Sequence, residues 1–297
     1  MRFLSEPGVE YGAVSVASPL IRRVVAPNPG AFTYHGTGTY IVGHGEVAVI
    51  DPGPDIPSHV AALLTALGGE RVSHILVTHT HRDHSPAAAA LKAATGAPTL
   101  GFGPHAGGAG PAVEEGADHD FVPDQELRDG DAVAGAGWTL EAVHTPGHTS
   151  NHLCFGLRDV GAFFPGDHVM GWSTTIVSPP DGDMADYRAS LARLAQRGDA
   201  IYYPTHGPAI TDPAAFLAGL AAHRTGREAA VLACMDAGIA EVPAMVRQIY
   251  QELDPRLHGA AGRSVLAHLI QLVDEGRAVA EGPDGAAATI SARFRLL

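Results

Sequence analysis

Lysine is nearly absent: Lys92 is the only one among 19 basic residues, and 32 acidic residues leave a formal net charge of −13. That balance opposes attraction to nucleic acid or anionic lipid, both of which recruit clustered positive charge. The arginine excess accompanies abundant Ala and Gly and reads as a compositional bias rather than as phosphate recognition. Cysteine is almost as scarce. Cys154 and Cys234 each lie in an apolar run, which excludes a disulfide-stapled secreted scaffold and points to a reducing, cytoplasmic setting. No stretch approaches the ~18 apolar residues that span a bilayer. The start, MRFLSEPGVEYGAVSV, is interrupted by acidic residues and Pro7 where a secretory signal needs about 7 to 15 unbroken apolar residues. Histidine, by contrast, is abundant, with 17. The 45% hydrophobic and 17% charged content over 297 residues is that of a globular chain with one large domain, or a large and a small one.

Up to about residue 210 one rhythm repeats: a short β-branched run, a turn rich in Gly, Pro, Asp or His, then often an Ala/Leu-rich helix. The pattern predicts strands at Tyr40–Val42, Val47–Ile50, His74–Val77, Leu140–Val143, Leu153–Leu157, Ala162–Phe164 and Ala200–Tyr203. It predicts helices at Val60–Leu67, at Pro86–Thr95 capped by Ser85, and at Tyr187–Arg197 after Asp186. Such alternation indicates sheets covered by helices. From Asp212-Pro213 the chain turns helical, with Pro213–His223 extending towards Met235, then Val242–Leu253 and Arg263–Glu275. A hairpin signal follows at Gly282-Pro283-Asp284-Gly285. Helices ahead of a hairpin outline a winged-helix-like domain, so the expected division is 1–220 for the catalytic domain and 221–297 for the second.

The chemistry is concentrated after strands. His79, His81, Asp83 and His84 lie within one short run, THTHRDH, which ends a buried strand and opens a helix. Chance places those types so close together only rarely, whereas borderline metals use this mix of imidazole and carboxylate. His148 in TPGHT, Asp167 after Gly166 and His206 in THGP each follow a further predicted strand, beside glycine that lets the backbone approach closely. The run Gly171 to Asp183 has neither helix nor strand pattern; it can border a pocket, with Trp172 as a wall and Thr174 and Thr175 as hydroxyl donors for substrate.

In this order the motifs THTHRDH, TPGHT, GDH and THGP closely resemble the metallo-β-lactamase superfamily, over about residues 20 to 215. The resemblance implies an α/β (α+β) fold, an αββα sandwich with a dinuclear site at the sheet edge. It assigns His79, His81 and His148 to one ion and Asp83, His84 and His206 to the other, with Asp167 bridging. Two zinc ions are the implied cofactors, with iron or manganese as alternatives, and Asp51 would support the metal loop rather than bind metal. The C-terminal segment looks like the β-lactamase-like protein 2 branch. Gly38 departs from that branch, which commonly carries Asn there. Asp167 stands where true lactamases commonly have Cys or Ser, which argues against antibiotic hydrolysis.

Two cations sharing a carboxylate bring the pKa of a shared water from ~15.7 towards ~7, providing hydroxide at neutral pH as nucleophile, and polarise the scissile group. Asp83 can aim that hydroxide as well as ligate. Three substrate readings follow. The first is a small-molecule or carrier-bound acyl thioester or ester. The second is single-stranded RNA cut by an endoribonuclease, which the winged helix favours and the charge opposes: residues 221–297 hold 8 Arg against 9 acidic residues. The third is a persulfide dioxygenase in which only His79, His148 and Asp167 hold a single iron. Arg263–Glu275 shows an apolar stripe rather than the row of donors a DNA-reading helix presents, so packing over the active site, or against a second subunit in a homodimer, is its expected role. The acyl substrate is the electrostatically favoured reading, and a membrane partner is not expected.

Overall fold

The computed structural model describes residues 2–106, 116–282 and 288–297. The first sheet has seven strands in chain order: β1 (Val14–Ser18), β2 (Ile21–Val25), β3 (Gly38–His44), β4 (Glu46–Ile50), β5 (Arg71–Leu76), β6 (Thr99–Gly101) and β7 (Gln125–Glu126). The first four pair antiparallel and the remaining pairings are parallel. The parallel part is made possible by crossovers through α1 (Pro57–Leu67) and α2 (Ala87–Thr95). The second sheet runs β12-β11-β10-β9-β8, from β8 (Ala132–Gly135), β9 (Trp138–His144), β10 (Leu153–Leu157), β11 (Ala162–Phe164) and β12 (Ile201–Tyr202).

Side-chain alternation turns these sheets into layers. On β4, Ala48 and Ile50 face the second sheet, together with Leu140, Phe155 and Phe164. Val47 and Val49 face the other way, onto Leu63 and Leu67 of α1 and Leu91 of α2. On β10 and β11, Cys154 and Phe163 point outward onto α3 (Met184–Leu194), where Tyr187 and Leu191 lie, and onto α4 (Pro213–Asp236). The result is helix, sheet, sheet, helix. Each fully buried aromatic between the sheets contributes about 1.5–3 kcal/mol over its exposed state, so the register is held wherever inward and outward faces differ.

Helix α4 carries the chain through residue 220. Phe216, Leu217 and Leu220 pack on the sandwich, whereas Val231, Cys234 and Met235 belong to a separate core with α5 (Val242–Ile249), α6 (His258–Asp274) and the hairpin β13 (Ala278–Glu281) and β14 (Arg293–Leu296). The predicted turn at Gly282–Gly285 falls largely on residues 283–287, outside the described residues. Glu228 joins the two cores: it accepts from Arg188 of α3 and, at 2.8 Å, from Arg277 before β13.

Several element starts differ from the sequence reading. Ser85 does not cap α2; its hydroxyl donates to Asp118 (2.6 Å), and Pro86 occupies the cap position without a side-chain bond. Helix α3 begins earlier than Tyr187 because Asp183, in extended geometry, accepts from the Asp186 N–H. Asp212 caps α4 as expected, accepting from the Ala215 N–H. No helix among the described residues is long and apolar enough to cross a membrane.

Candidate metal centre

The loops after β4, β5, β9, β11 and β12 meet at one edge of the sandwich. Asp51 organises them. It follows β4 in a left-handed conformation (φ 50°), which a non-glycine residue adopts only at a cost. Its buried carboxylate accepts from the Thr78 N–H and hydroxyl (both 2.8 Å), from the Thr205 hydroxyl (3.1 Å) and from His84 Nδ1 (2.9 Å). One side chain thus clamps the loop after β5, the loop after β12 and the ring of His84.

Two groups of side chains converge beside this clamp. His79, His81 and His148 form one, and Asp83, His84, Asp167 and His206 the other; within each, ligand atoms lie within 4.8 Å of one another. His81 Nδ1 is 3.0 Å from His79 Nε2 and 3.1 Å from His148 Nε2. In the second group, His206 Nε2 is 3.0 Å from Asp83 Oδ2 and 3.4 Å from Asp167 Oδ2, and His84 Nε2 is 3.3 and 3.5 Å from the same two oxygens. Asp167 Oδ2 also lies 3.9 Å from His148 Nε2, so this carboxylate stands between the groups.

The histidines are aimed from behind. Nδ1 of His148 faces the Ile176 carbonyl at 2.7 Å, that of His206 the Gly36 carbonyl at 3.3 Å, and that of His79 the Thr78 hydroxyl at 3.0 Å. With Nδ1 engaged by oxygen, Nε2 is the nitrogen presented to the centre, an arrangement typical of metal-ligating imidazoles. Gly147 lets His148 reach its place: its φ is 135°, and a Cβ there would fall 2.3 Å from the Tyr187 backbone. Gly38 is a close approach of another kind, since a Cβ would lie 2.4 Å from Arg23 Nε and 3.0 Å from the Thr205 carbonyl.

Electrostatics and unsatisfied atoms test whether metal ions fit. Asp167 Oδ1 is buried with no hydrogen-bond partner, a costly state for a polar atom unless a further group engages it, and His84 Nε2 and His206 Nε2 are buried against the Asp83 and Asp167 carboxylates. Burial and the repulsion of neighbouring imidazoles hold His79 far below its ordinary value and bring His81 to about 3, which leaves neutral rings with a lone pair to give. Burial would likewise depress His206, but Asp167 and Asp83 outweigh it and push that ring up to about 10. His84 is driven up by the same two carboxylates against its burial. The carboxylates therefore demand positive charge in a largely buried place. Neutral imidazoles on one side and buried anions on the other suit a pair of divalent cations.

Further residues surround the two groups. His152 accepts from the Asp167 N–H (3.2 Å) and meets the Thr145 hydroxyl (2.9 Å), so it positions Asp167. His168 is buried among His152 and Tyr187. His144 ends β9, stacks on Phe102 and faces the Ser150 carbonyl. A cavity of about 270 Å³ opens from His81, Asp83, His148 and Asp167 and is walled by Trp172 and Thr174. Thr175 also borders it, with its hydroxyl donating to the Asp167 carbonyl (2.6 Å). The sequence reading missed the opposite wall, His223, Arg224, Arg227 and Tyr250, and Asn151, which donates to Thr80 (2.9 Å) and ties the His148 loop to the His79 loop.

With fold and site in view, comparison with known proteins is decisive about class: the chain belongs to the metallo-beta-lactamase superfamily, whose family model matches residues 34–206. Residues 242–286 match the beta-lactamase associated winged helix domain. An atrochrysone carboxyl ACP thioesterase from Aspergillus chevalieri is 35% identical over 73% of this chain and 66% of its own length. The lactamase-like protein ptaB from Pestalotiopsis fici is 30% identical over 90% of this chain and 84% of its own. The chain spans about two thirds of the length of the thioesterase relatives it matches. Among solved structures, a beta-lactamase domain protein from Burkholderia ambifaria aligns with a TM-score of 0.79 at 22% identity, covering 96% of this chain and 94% of that one.

Proposed function

We propose that this protein is a metal-dependent hydrolase of acyl thioesters, including carrier-bound ones, with two zinc ions as its cofactors. The observation that carries the reading is the pairing of two ligand groups through Asp167 at the mouth of a largely apolar cavity. The thioesterase names of relatives at 35% and 34% identity support the substrate class. His79, His81 and His148 would hold one ion, Asp83, His84 and His206 the other, and Asp167 would serve both. Such ions supply Lewis acidity to the scissile carbonyl and make a water acidic enough to attack at neutral pH.

The remaining chemistry belongs to the chain. Asp83 lies between His84 and His206 and receives the Thr37 hydroxyl at 3.5 Å. Burial raises its pKa, but His84 and His206 outweigh burial and hold the carboxyl well below its ordinary range. It is thus an ionised acceptor that can take a hydrogen bond from the attacking water and orient it. A thiol leaving group has a pKa near 8.5, so it departs without a dedicated general acid. Trp172 and Thr174 border the acyl group.

Among the alternatives, RNA cleavage would need the C-terminal domain as a reader, but Val265, Leu266, Leu269 and Leu272 bury α6 in that domain's own core. The deciding experiment sets a panel of N-acetylcysteamine thioesters beside labelled single-stranded RNA and a persulfide oxygen-uptake assay. Chelator-sensitive thioester hydrolysis supports the reading; RNA cleavage or oxygen consumption without thioester turnover overturns it.

A further inference from the structure

The cavity's far wall is built from α4 and the C-terminal domain and differs in character from the metal end. His223, Arg224 and Arg227 lie within little more than one turn of α4, and all three line the cavity. Arg224 is 2% exposed. Its Nη2 donates to the Thr175 carbonyl and its guanidinium lies over the Tyr187 ring. Arg227 stacks over Tyr250 and donates from Nε to His223 Nε2 at 3.3 Å. Neither arginine has a carboxylate partner among the described residues, whereas one turn further on Glu228 is shared by Arg188 and Arg277.

The unmatched atoms here are all donors. Arg224 Nε and Trp172 Nε1 are buried without a partner. His223 receives the Arg227 proton on Nε2, which leaves its own proton on Nδ1, also buried and unpartnered. Among the described residues, the only carboxylates in the cavity lining are Asp83 and Asp167, at the metal end. A buried cation with no counter-charge is expensive, and a protein of net charge −13 has acidic residues in plenty to place beside it. Their absence from this wall leaves the donors available to a ligand.

We infer that His223, Arg224, Arg227 and Trp172 form an anion-binding subsite that holds an oxyanion of the substrate, a carboxylate or a phosphate, while its thioester lies at the metal centre. The planar guanidinium fork suits both oxyanions. Position favours a carboxylate on the acyl chain. Arg224 reaches the Thr175 carbonyl, and the Thr175 hydroxyl reaches the Asp167 carbonyl, so one residue separates the subsite from a metal-centre carboxylate. The substrate class named here rests on the thioesterase reading; the anion site itself does not.

The test compares matched substrates with the metal-loaded protein. A glutaryl thioester of N-acetylcysteamine is set against its terminal-amide analogue, and a neutral acyl-phosphopantetheine against the corresponding acyl-pantetheine. The subsite predicts at least a tenfold higher kcat/KM, carried by KM, for the charged member of one pair; which pair shows it assigns carboxylate or phosphate. Arg227→Gln and Arg224→Gln remove that preference, and Arg224→Lys restores part of it. If Arg224→Gln does not fold, the half-buried Arg227→Gln decides. Hydrolysis of all four substrates without charge preference overturns the subsite and leaves the thioesterase reading standing. If no thioester is hydrolysed, calorimetric titration of glutarate and inorganic phosphate decides: a tenfold weaker affinity in Arg227→Gln than in wild type supports the subsite, and equal affinity refutes it.

Discussion

In the proposed mechanism ligation and reactivity meet in one side chain, Asp83. Asp83→Asn keeps the shape and loses the charged acceptor, so thioester turnover falls at least ~100-fold, in line with the loss of a positioned acid–base group. The urea midpoint moves little by comparison; retention of full activity would remove Asp83 from the mechanism. His268 makes a different prediction, about stability. Burial, reinforced by Arg224 and Arg188, brings its pKa down to about 3, against 6.5 for an exposed ring. Between those values the unfolded chain binds the proton and the folded one does not, so stability falls as pH drops below 6.5. The loss from this ring amounts to about 2 kcal/mol by pH 5. Urea titrations at pH 7 and pH 5 should therefore show a shallower decline in His268→Asn than in wild type; an identical decline would show that the ring is protonated in the native state.

At the scale of elements, loops that follow strands determine where ligands point. Gly147→Ala places a methyl group into the Tyr187 backbone at a φ that disfavours any side chain. It should weaken metal retention through His148 before it unfolds the sandwich, seen as faster metal release to a competing chelator, and unchanged release would contradict the role given to this loop. The same scale explains what could be read without coordinates. The candidate ligands bracketed by strand and glycine were legible because local chain geometry alone brings THTHRDH, TPGHT and THGP past strand ends. The strands β4, β5, β9, β10, β11 and β12 were legible for the same reason, as short β-branched or aromatic runs. Strand β2 was not, because Arg22 and Arg23 interrupt its apolar pattern; they are held by Glu70 and Glu6 from elsewhere in the chain. The start of α3 was misplaced because Asp183 and Asp186 are both plausible caps, and backbone geometry chooses between them. His223, Arg224 and Arg227 read as an ordinary helix face, since nothing local says that α4 borders the cavity.

At the scale of the whole molecule, the C-terminal domain completes the site rather than hanging from it. Helix α4 spans both cores, and Glu228 accepts arginines from each. Glu228→Gln removes the shared charge and leaves Arg188 and Arg277 less well compensated. A loss of about 1–3 kcal/mol is expected by urea titration, together with a raised KM for the charged thioesters; an unchanged midpoint would show that the cores are held together by apolar packing alone. The central claim, that seven side chains from four loops hold two cations, is tested most directly by metal analysis of protein purified without chelator. The account predicts about two equivalents of divalent metal per chain, falling to one or fewer in Asp167→Ala. A metal-free active enzyme, or a single iron that leaves Asp83, His84 and His206 without any effect on binding, would contradict it.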